Sequence, residues 1–219
     1  MLELNHTAGK SLVRTMANEN LANTLGSISE TSLDAMLSNG LLRDIPIIGT
    51  MTGMLKVGRD IRNELYLKKI CVFLSNIAIA SSELRESFSA QFDSEDSRHR
   101  FGEAILLLLE RSDDMEKPKI IGKIMRAAIQ NSIELPKAMR LCAIVNRCYI
   151  QDLDFLLVFE EGPQFADMTA IVESLQSVGL LSTHGFDGGD LSSSSKSGVI
   201  YKLNSYGELL LEYGLCDVT

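Results

Sequence analysis

The sequence predicts a mainly α fold: a multi-helix body followed by a small C-terminal winged-helix-like element with a short β-hairpin. Leu, Ile, Met and Ala carry the apolar content, aromatic residues are only 6% and tryptophan is absent, a composition that favours helices. Apolar residues recur at helical spacing as far as about residue 160, whereas a polar Gly/Ser-rich loop and a strand-like run follow only near the C-terminal end. We therefore expect three regions: a polar leader (1–30), a helical domain (31–160) and a winged-helix-like part (161–219).

Apolar stripes and helix-capping residues define the predicted helices. Residues 1–30 are rich in Asn, Thr and Ser, so we expect a weak and loosely held helix there. A better helix is predicted to begin near Ser29 or Thr31 and to end at Asn39-Gly40. A long helix is predicted at about 58–80, and its second half is apolar nearly all round, which is typical of a buried helix. Further helices are predicted at 81–92, 93–110, 114–131, 134–149 and 151–160.

The C-terminal part has a different pattern. The segment "ADMTAIVESLQSVG" is amphipathic and is predicted to end as a helix at Gly179. A glycine- and serine-rich loop, the strand-like "VIYKLN" and a last helix, "SYGELLLEYGL", follow. This order is typical of the end of a winged helix, in which "GLLSTHGF" and "VIYKLN" pair as the wing.

Charge is distributed unevenly along the chain, although the formal total is −8. Residues 1–150 hold 19 Lys and Arg against 18 Asp and Glu, whereas residues 151–219 hold 2 against 11. The candidate recognition helix, Ala166–Leu181, carries Asp167 and Glu173 and no Lys or Arg. Phosphate contacts need cationic side chains, so this pattern argues against nucleic-acid binding and favours a winged helix used for protein contact or dimerisation.

The stretch "LLRDIPIIGTMTGMLKVGRDIRNELYLKK" joins a glycine-spaced apolar segment to a basic one. The uncharged run between Asp44 and Lys56 is too short to cross a bilayer, which takes about 20 residues. Three interpretations remain open: an internal helix crossing, a homo-oligomer contact, or a hairpin at a membrane surface with its cations on anionic lipid. The predicted interaction residues are Pro46, Gly49 and Gly53 for close packing and Lys56, Arg59 and Arg62 for an acidic partner or lipid head groups.

Motifs for catalysis, metal binding or phosphate binding are not found in the sequence. His6, His99 and His184 lack the spacing of metal ligands, and GxxxxGK[ST], GxGxxG and GxSxG do not occur. The four cysteines form no CxxC pair, which indicates reduced core thiols of a cytosolic protein. The N-terminal residues lack the apolar core of a secretory signal. We therefore predict no enzymatic activity, no catalytic residue, no metal and no cofactor, and a cytoplasmic protein with peripheral contact at the inner membrane as an open alternative.

Three segments resemble a known family: "FGEAILLLLERSDDMEKPKIIGKIMRAAI", "IVESLQSVGLLS" and "YKLNSYGELLLEY". Together they are similar to the Abi-alpha family of bacterial proteins, which is named for abortive infection, over about half of the chain. The run from Tyr201 to Gly207 resembles that family's Y-x-L-T-x-x-G pattern, with Asn204 where Thr is usual, and the expected tryptophan of the second helix is missing. The resemblance implies a leucine-rich helix, a winged-helix-like tail and a link to phage defence, and it brings no catalytic residues.

These observations predict a non-enzymatic bacterial interaction protein of the phage-defence type that acts through helix packing and oligomerisation. Its partner is expected to be a protein or a second copy. One alternative is a membrane-active effector that inserts the glycine-spaced hairpin at 45–57. A second alternative is a winged-helix transcription regulator, against which the acidic C-terminal part argues.

Overall fold

A computed structural model of the chain describes residues 2–25, 42–54, 61–160, 162, 164–165, 169–188 and 198–216. It confirms the predicted fold class, because helices dominate and the only sheet among these residues is small and lies near the C-terminal end. The chain forms two compact units, Met1–Ala138 (unit 1) and Met139–Thr219 (unit 2). The boundary between them differs from those expected after residues 30 and 160.

The helices and strands follow the sequence in this order. The helices of unit 1 are α1 (Leu2–Met16), α2 (Leu21–Leu25), α3 (Pro46–Met54), α4 (Ile61–Ile77), α5 (Ser82–Ala90), α6 (Glu95–Arg111) and α7 (Glu116–Ile129), and the unit boundary falls within α8 (Leu135–Arg147). Unit 2 continues with a 3₁₀ helix (Ile150–Phe159), β1 (Gln164–Phe165), α9 (Thr169–Val178), β2 (Leu181–Asp187), β3 (Gly198–Leu203), α10 (Ser205–Leu210) and a π-helical turn (Leu211–Leu215). The helix predicted at about 31–39 lies outside the described residues.

Helix α1 is a core helix, and the expectation of a loosely held leader was wrong for this part of the chain. Leu12, Val13 and Met16 are buried, and α1 packs along α6. The two helices cross where glycine meets glycine: a Cβ added to Gly102 would lie 2.0 Å from the Gly9 carbonyl oxygen. A helix was predicted here, but its polar composition gave no sign that it belongs to the core, because its buried face is covered only when α6 packs against it.

A second close crossing joins α4 to α7. A Cβ added to Gly122 would lie 2.8 Å from the Phe73 carbonyl oxygen, so the missing side chain lets the two backbones approach. Phe73, Leu74 and Ile77 are fully buried, as the all-round apolar second half of the predicted long helix indicated. These two crossings hold the core of unit 1.

Unit 2 contains the predicted wing. Strands β2 and β3 pair antiparallel from Leu181↔Leu203 to Asp187↔Gly198, and the two-residue β1 adds to the far side of β3, giving the strand order β1-β3-β2. Asn204 begins α10 by accepting hydrogen bonds from the backbone N–H groups of Tyr206 and Gly207, at 3.0 and 3.1 Å. This residue therefore serves as an N-cap, a role that threonine also fills.

Candidate interaction surfaces

The described part of the glycine-spaced segment forms α3, in which Ile47, Ile48 and Met51 are buried inside unit 1. Pro46 occupies the first turn, as predicted, where its missing N–H costs nothing. The next N–H group, that of Ile47, donates to the Thr15 hydroxyl at 3.1 Å, which ties the start of α3 to α1. Ile47 and Ile48 are almost fully buried. Membrane insertion of this segment would therefore require the core of unit 1 to open.

The two glycines of α3 have different surroundings. A Cβ on Gly49 would lie 2.7 Å from the Arg43 carbonyl oxygen, so this glycine accommodates the turn that precedes its own helix. Gly53 is exposed, and a Cβ there would meet no atom within 4 Å among the residues that the structure describes. The internal helix crossing, one of the three interpretations of this pair, is therefore not seen among the described residues. Gly49 instead contacts the turn that precedes α3, and Gly53 contacts no described residue of another helix.

The predicted basic residues are only partly within the described structure. Lys56 and Arg59 lie outside the described residues. Arg62 is exposed in the first turn of α4, between Ile61, which is 72% exposed, and Leu65, which is 45% exposed. We call Ile61, Arg62 and Leu65 together the basic strip. An exposed apolar pair one helical turn apart beside an arginine is typical of a surface that receives a partner.

Within the described parts of the chain, no single helix combines the length and the hydropathy that crossing a membrane requires. The pair α4 and α5 reaches both by length and composition, but the two helices are bent by 109°. Ile70, Phe73 and Leu74 of this pair are buried in unit 1.

A cleft of about 520 Å³ lies in unit 2 beside the base of the wing. Three exposed carboxylates line it, those of Glu160, Glu208 and Glu212, against one lysine, Lys202. We call it the acidic cleft. The phenol of Tyr213 is hydrogen-bonded to Glu212, and this bond raises the pKa of the tyrosine. Three carboxylates of this kind surround a space that suits cationic side chains.

The wing itself exposes an aromatic side chain. Phe186 on β2 is 72% exposed and lies directly opposite Val199 on β3, which is 37% exposed. Side chains of directly opposed residues lie on the same face of a hairpin. The helix before the wing, α9, carries Glu173 and neither Lys nor Arg. The outer surface of the winged helix thus combines an apolar contact point with negative charge.

Nucleophilic chemistry is not favoured at the buried thiols. Burial raises the pKa of Cys71 to about 12 and raises that of Cys142 further, so both are neutral thiols at pH 7. Cys148 is also buried, as predicted, whereas Cys216 is exposed at the edge of the acidic cleft. Within the described residues, no three His, Cys, Asp or Glu side chains are grouped so that they could hold a metal ion.

The acidic break between α6 and α7 has a structural role. The ammonium of Lys117 is 1% exposed and lies 2.6 Å from a carboxylate oxygen of Asp113, which keeps the pKa of that carboxyl below its usual range. Lys69 on α4 donates to the carbonyl of Ser112, at the end of α6. These two lysines fix the turn between two core helices, which explains the adjacent aspartates without a catalytic role.

Comparison with known proteins identifies no relative: no family model, no curated protein and no solved structure matches this chain. The similarity to the Abi-alpha family therefore stays a prediction from the sequence.

Two features were missed in the sequence, the acidic cleft and the exposed Phe186–Val199 pair. The charge asymmetry of residues 151–219 predicted an acidic C-terminal part but not the cleft, because Glu160 and Glu208 are distant in sequence and only the fold brings them together. The pairing of Phe186 with Val199 depends on the register of the hairpin, which contains an irregularity between Thr183 and Gly185. No pattern in the sequence reveals that register shift.

Proposed function

We propose that this chain is a non-enzymatic bacterial interaction protein that self-associates, with the acidic cleft of one copy receiving the basic strip of another. The observation that carries the proposal is the acidic cleft, with three exposed carboxylates against one lysine in about 520 Å³. The complementary charge is present elsewhere in the same chain, at Arg62 and, by sequence, at Lys56 and Arg59. Arginine and carboxylate form the strongest side-chain hydrogen bonds, so this pairing gives specificity as well as attraction.

Apolar surface supports the same pairing. Ile61 and Leu65 flank Arg62 on α4, and Leu203 and Leu211 lie among the lining residues of the cleft. An arginine anchored between apolar contacts is typical of the residues that dominate binding energy at protein interfaces. Each copy carries both surfaces, so a reciprocated contact closes a two-fold dimer, whereas a contact that is not reciprocated extends to rings or filaments.

The biological setting rests on the family resemblance. A self-associating bacterial protein of this kind suits an abortive-infection component in phage defence, located in the cytoplasm. The Phe186–Val199 pair of the wing is available in this proposal for a further protein partner. DNA binding is not supported, because α9 offers phosphate groups no cationic side chain.

The membrane-active alternative requires a different use of the basic strip. Arg62 and, by sequence, Lys56 and Arg59 would lie on anionic lipid head groups, and peripheral contact at the inner membrane would follow. The burial of Ile47 and Ile48 within unit 1 weakens this alternative, because the hairpin at 45–57 would have to leave the core before inserting.

The test is the mass in solution by light scattering. We expect the wild-type chain to form assemblies that are multiples of 24.1 kDa and that dissociate as salt is raised from about 0.1 M to about 1 M, where the Debye length falls to about 3 Å. Arg62→Glu should lower the mass to that of the monomer. Lys137→Glu, which reverses an exposed cation on α8, is the matched control and should leave the assemblies intact.

Two results would contradict the proposal. A wild-type chain that is monomeric at every concentration has no self-association to explain. A monomer that instead transfers to vesicles of phosphatidylcholine and phosphatidylglycerol, and loses that transfer in Arg62→Glu, would favour the membrane alternative.

A further inference from the structure

A second polar groove, of about 540 Å³, lies in unit 1 between α1, α5 and α6. Three cationic side chains line it: Lys10 and Arg14 on α1 and Arg98 on α6. One carboxylate, that of Glu95, faces them, and the hydroxyl of Ser89 completes the polar lining from α5. The lining therefore carries a surplus of two positive charges.

The polar face of α1 explains how the cations converge. Lys10 and Arg14 are four residues apart, so they lie one helical turn apart on the same side of the helix. Leu12 and Met16 are buried and anchor the other side in the core. Packing of α1 along α6 then sets both cations opposite Arg98. Because the cations stand on packed helices, the backbone positions from which they extend are set before any ligand arrives.

The Glu95 carboxylate shows that the cations of this groove can bind an anionic group. One oxygen of its carboxylate is 2.9 Å from the Lys10 ammonium and the other is 3.0 Å from the Arg98 guanidinium. The side chain of Glu95 is 66% exposed, so it lies at the rim, where it can swing into solvent. Its two partners keep the pKa of Glu95 below its usual range, with Lys10 as the larger cause. Arg14 is exposed and forms no ion pair with any residue in the described ranges.

We infer that this groove binds a phosphate-bearing ligand, whose oxyanion takes the place of the Glu95 carboxylate between Lys10 and Arg98 and is also bound by Arg14. A phosphate group carries more charge and more acceptor oxygens than a carboxylate, so it satisfies three cations where Glu95 satisfies two. Ser89 adds a neutral donor. The inference is independent of the self-association proposed above, because it uses none of the residues of the basic strip or the acidic cleft.

The phosphate could belong to a free small molecule or to a lipid head group, and the chemistry of recognition is the same. Inorganic pyrophosphate is the probe for the first source. Vesicles of phosphatidylcholine containing phosphatidic acid are the probe for the second. Both are applied to the full chain at constant ionic strength, because screening changes every charge–charge interaction.

Titration calorimetry with pyrophosphate gives the first readout. We expect saturable binding that Arg14→Ala weakens about tenfold, the usual loss when one charged hydrogen bond is removed. Glu95→Gln should strengthen binding several-fold, because it removes the competing negative charge. Lys119→Ala is the matched control: it removes one exposed cation of α7 that is paired with Glu116, and it should leave the affinity unchanged.

Thermal unfolding of each variant checks that the fold is intact, which we expect because Arg14 and Lys119 are both exposed on their helices. Co-sedimentation with the vesicles then identifies the source: binding that Arg14→Ala abolishes assigns the groove to a lipid head group, and pyrophosphate binding without vesicle binding assigns it to a free ligand. The inference is overturned if the wild type binds neither probe, if Lys119→Ala weakens binding as much as Arg14→Ala, or if Glu95→Gln weakens it.

Discussion

Two pairs of glycines in unit 1 differ both in their sequence setting and in their structural role. Gly49 and Gly53 stand four residues apart in an apolar run, and that spacing predicted a face for close packing. Gly9 and Gly102 lie in different helices, and neither stands out in the sequence. Yet the backbones meet at Gly9 and Gly102, where an added Cβ would lie 2.0 Å from a carbonyl oxygen, whereas Gly53 is exposed.

The difference shows what a glycine pattern can and cannot indicate. Regular spacing along one helix creates a smooth face, but close approach needs a second backbone across that face. Glycine is sterically required only where a second backbone lies so close that the methyl group of alanine would clash with it. Substitutions by alanine, the smallest side chain, therefore measure the comparison directly.

The largest effect is expected at the α1–α6 crossing. Gly102→Ala would push a methyl group into the Gly9 backbone, so the two helices must separate. We expect a loss of unfolding free energy of about 3 kcal/mol or more, the upper end of overpacking costs. Urea denaturation followed by circular dichroism measures it. A Gly102→Ala variant as stable as the wild type would show that α1 does not pack on α6 as described.

A smaller loss is expected at the α4–α7 crossing. The methyl group of Gly122→Ala would lie 2.7 Å from the Asn76 Cβ and 2.8 Å from the Phe73 carbonyl oxygen, contacts that a modest shift of the helices relieves. We expect about 2 kcal/mol of destabilisation in the same urea assay. Ala127→Gly, which removes a methyl group from a buried position of the same helix, calibrates the cost of altering α7 without overpacking it.

At Gly49 the clash is local. Among the described residues, a methyl group there would meet the Arg43 carbonyl in the preceding turn and no other group, and a turn yields more easily than two packed helices. We expect Gly49→Ala to cost about 1 kcal/mol and to leave the solution mass unchanged. A change of mass without a change of stability would instead assign Gly49 to an intermolecular contact.

Gly53 is expected to tolerate substitution. The position is exposed and a methyl group there would meet no atom of the described residues, and alanine is favoured over glycine in a helix by up to about 1 kcal/mol. Gly53→Ala should therefore be neutral or slightly stabilising in thermal unfolding. The close packing predicted for Gly53 from the sequence implies instead that Gly53→Leu disrupts assembly or folding. A lower melting temperature for that variant would restore the packing interpretation.

Much of the helical body could be predicted because its periodicity is strong. The predicted helices at 93–110 and 114–131 correspond to Glu95–Arg111 and Glu116–Ile129, and Pro118 lies in the first turn of the second, where proline is tolerated. The wing strands were also predicted. Strand β1 was not, since two residues carry no periodic pattern.

The burial of helix α1 and the candidate surfaces could not be predicted, for a physical reason. The polar sequence of α1 becomes a core helix only because α6 offers Gly102 at the right point, and such a contact leaves no local signal. The groove at Lys10 and Arg98 and the acidic cleft at Glu160 and Glu208 each combine residues that are distant in sequence. Composition indicated the net charge of the C-terminal part but not which of its charged side chains lie together in the fold.

Mixing two monomeric variants tests the proposed self-association most directly. Arg62→Glu removes the basic strip and keeps the acidic cleft, whereas the double variant Glu208→Lys/Glu212→Lys removes the cleft and keeps the strip. By light scattering, we expect each variant alone at 24.1 kDa and their equimolar mixture at twice that mass, because one intact strip meets one intact cleft. A mixture that stays at the monomer mass, although the wild type assembles, would contradict the pairing of these two surfaces.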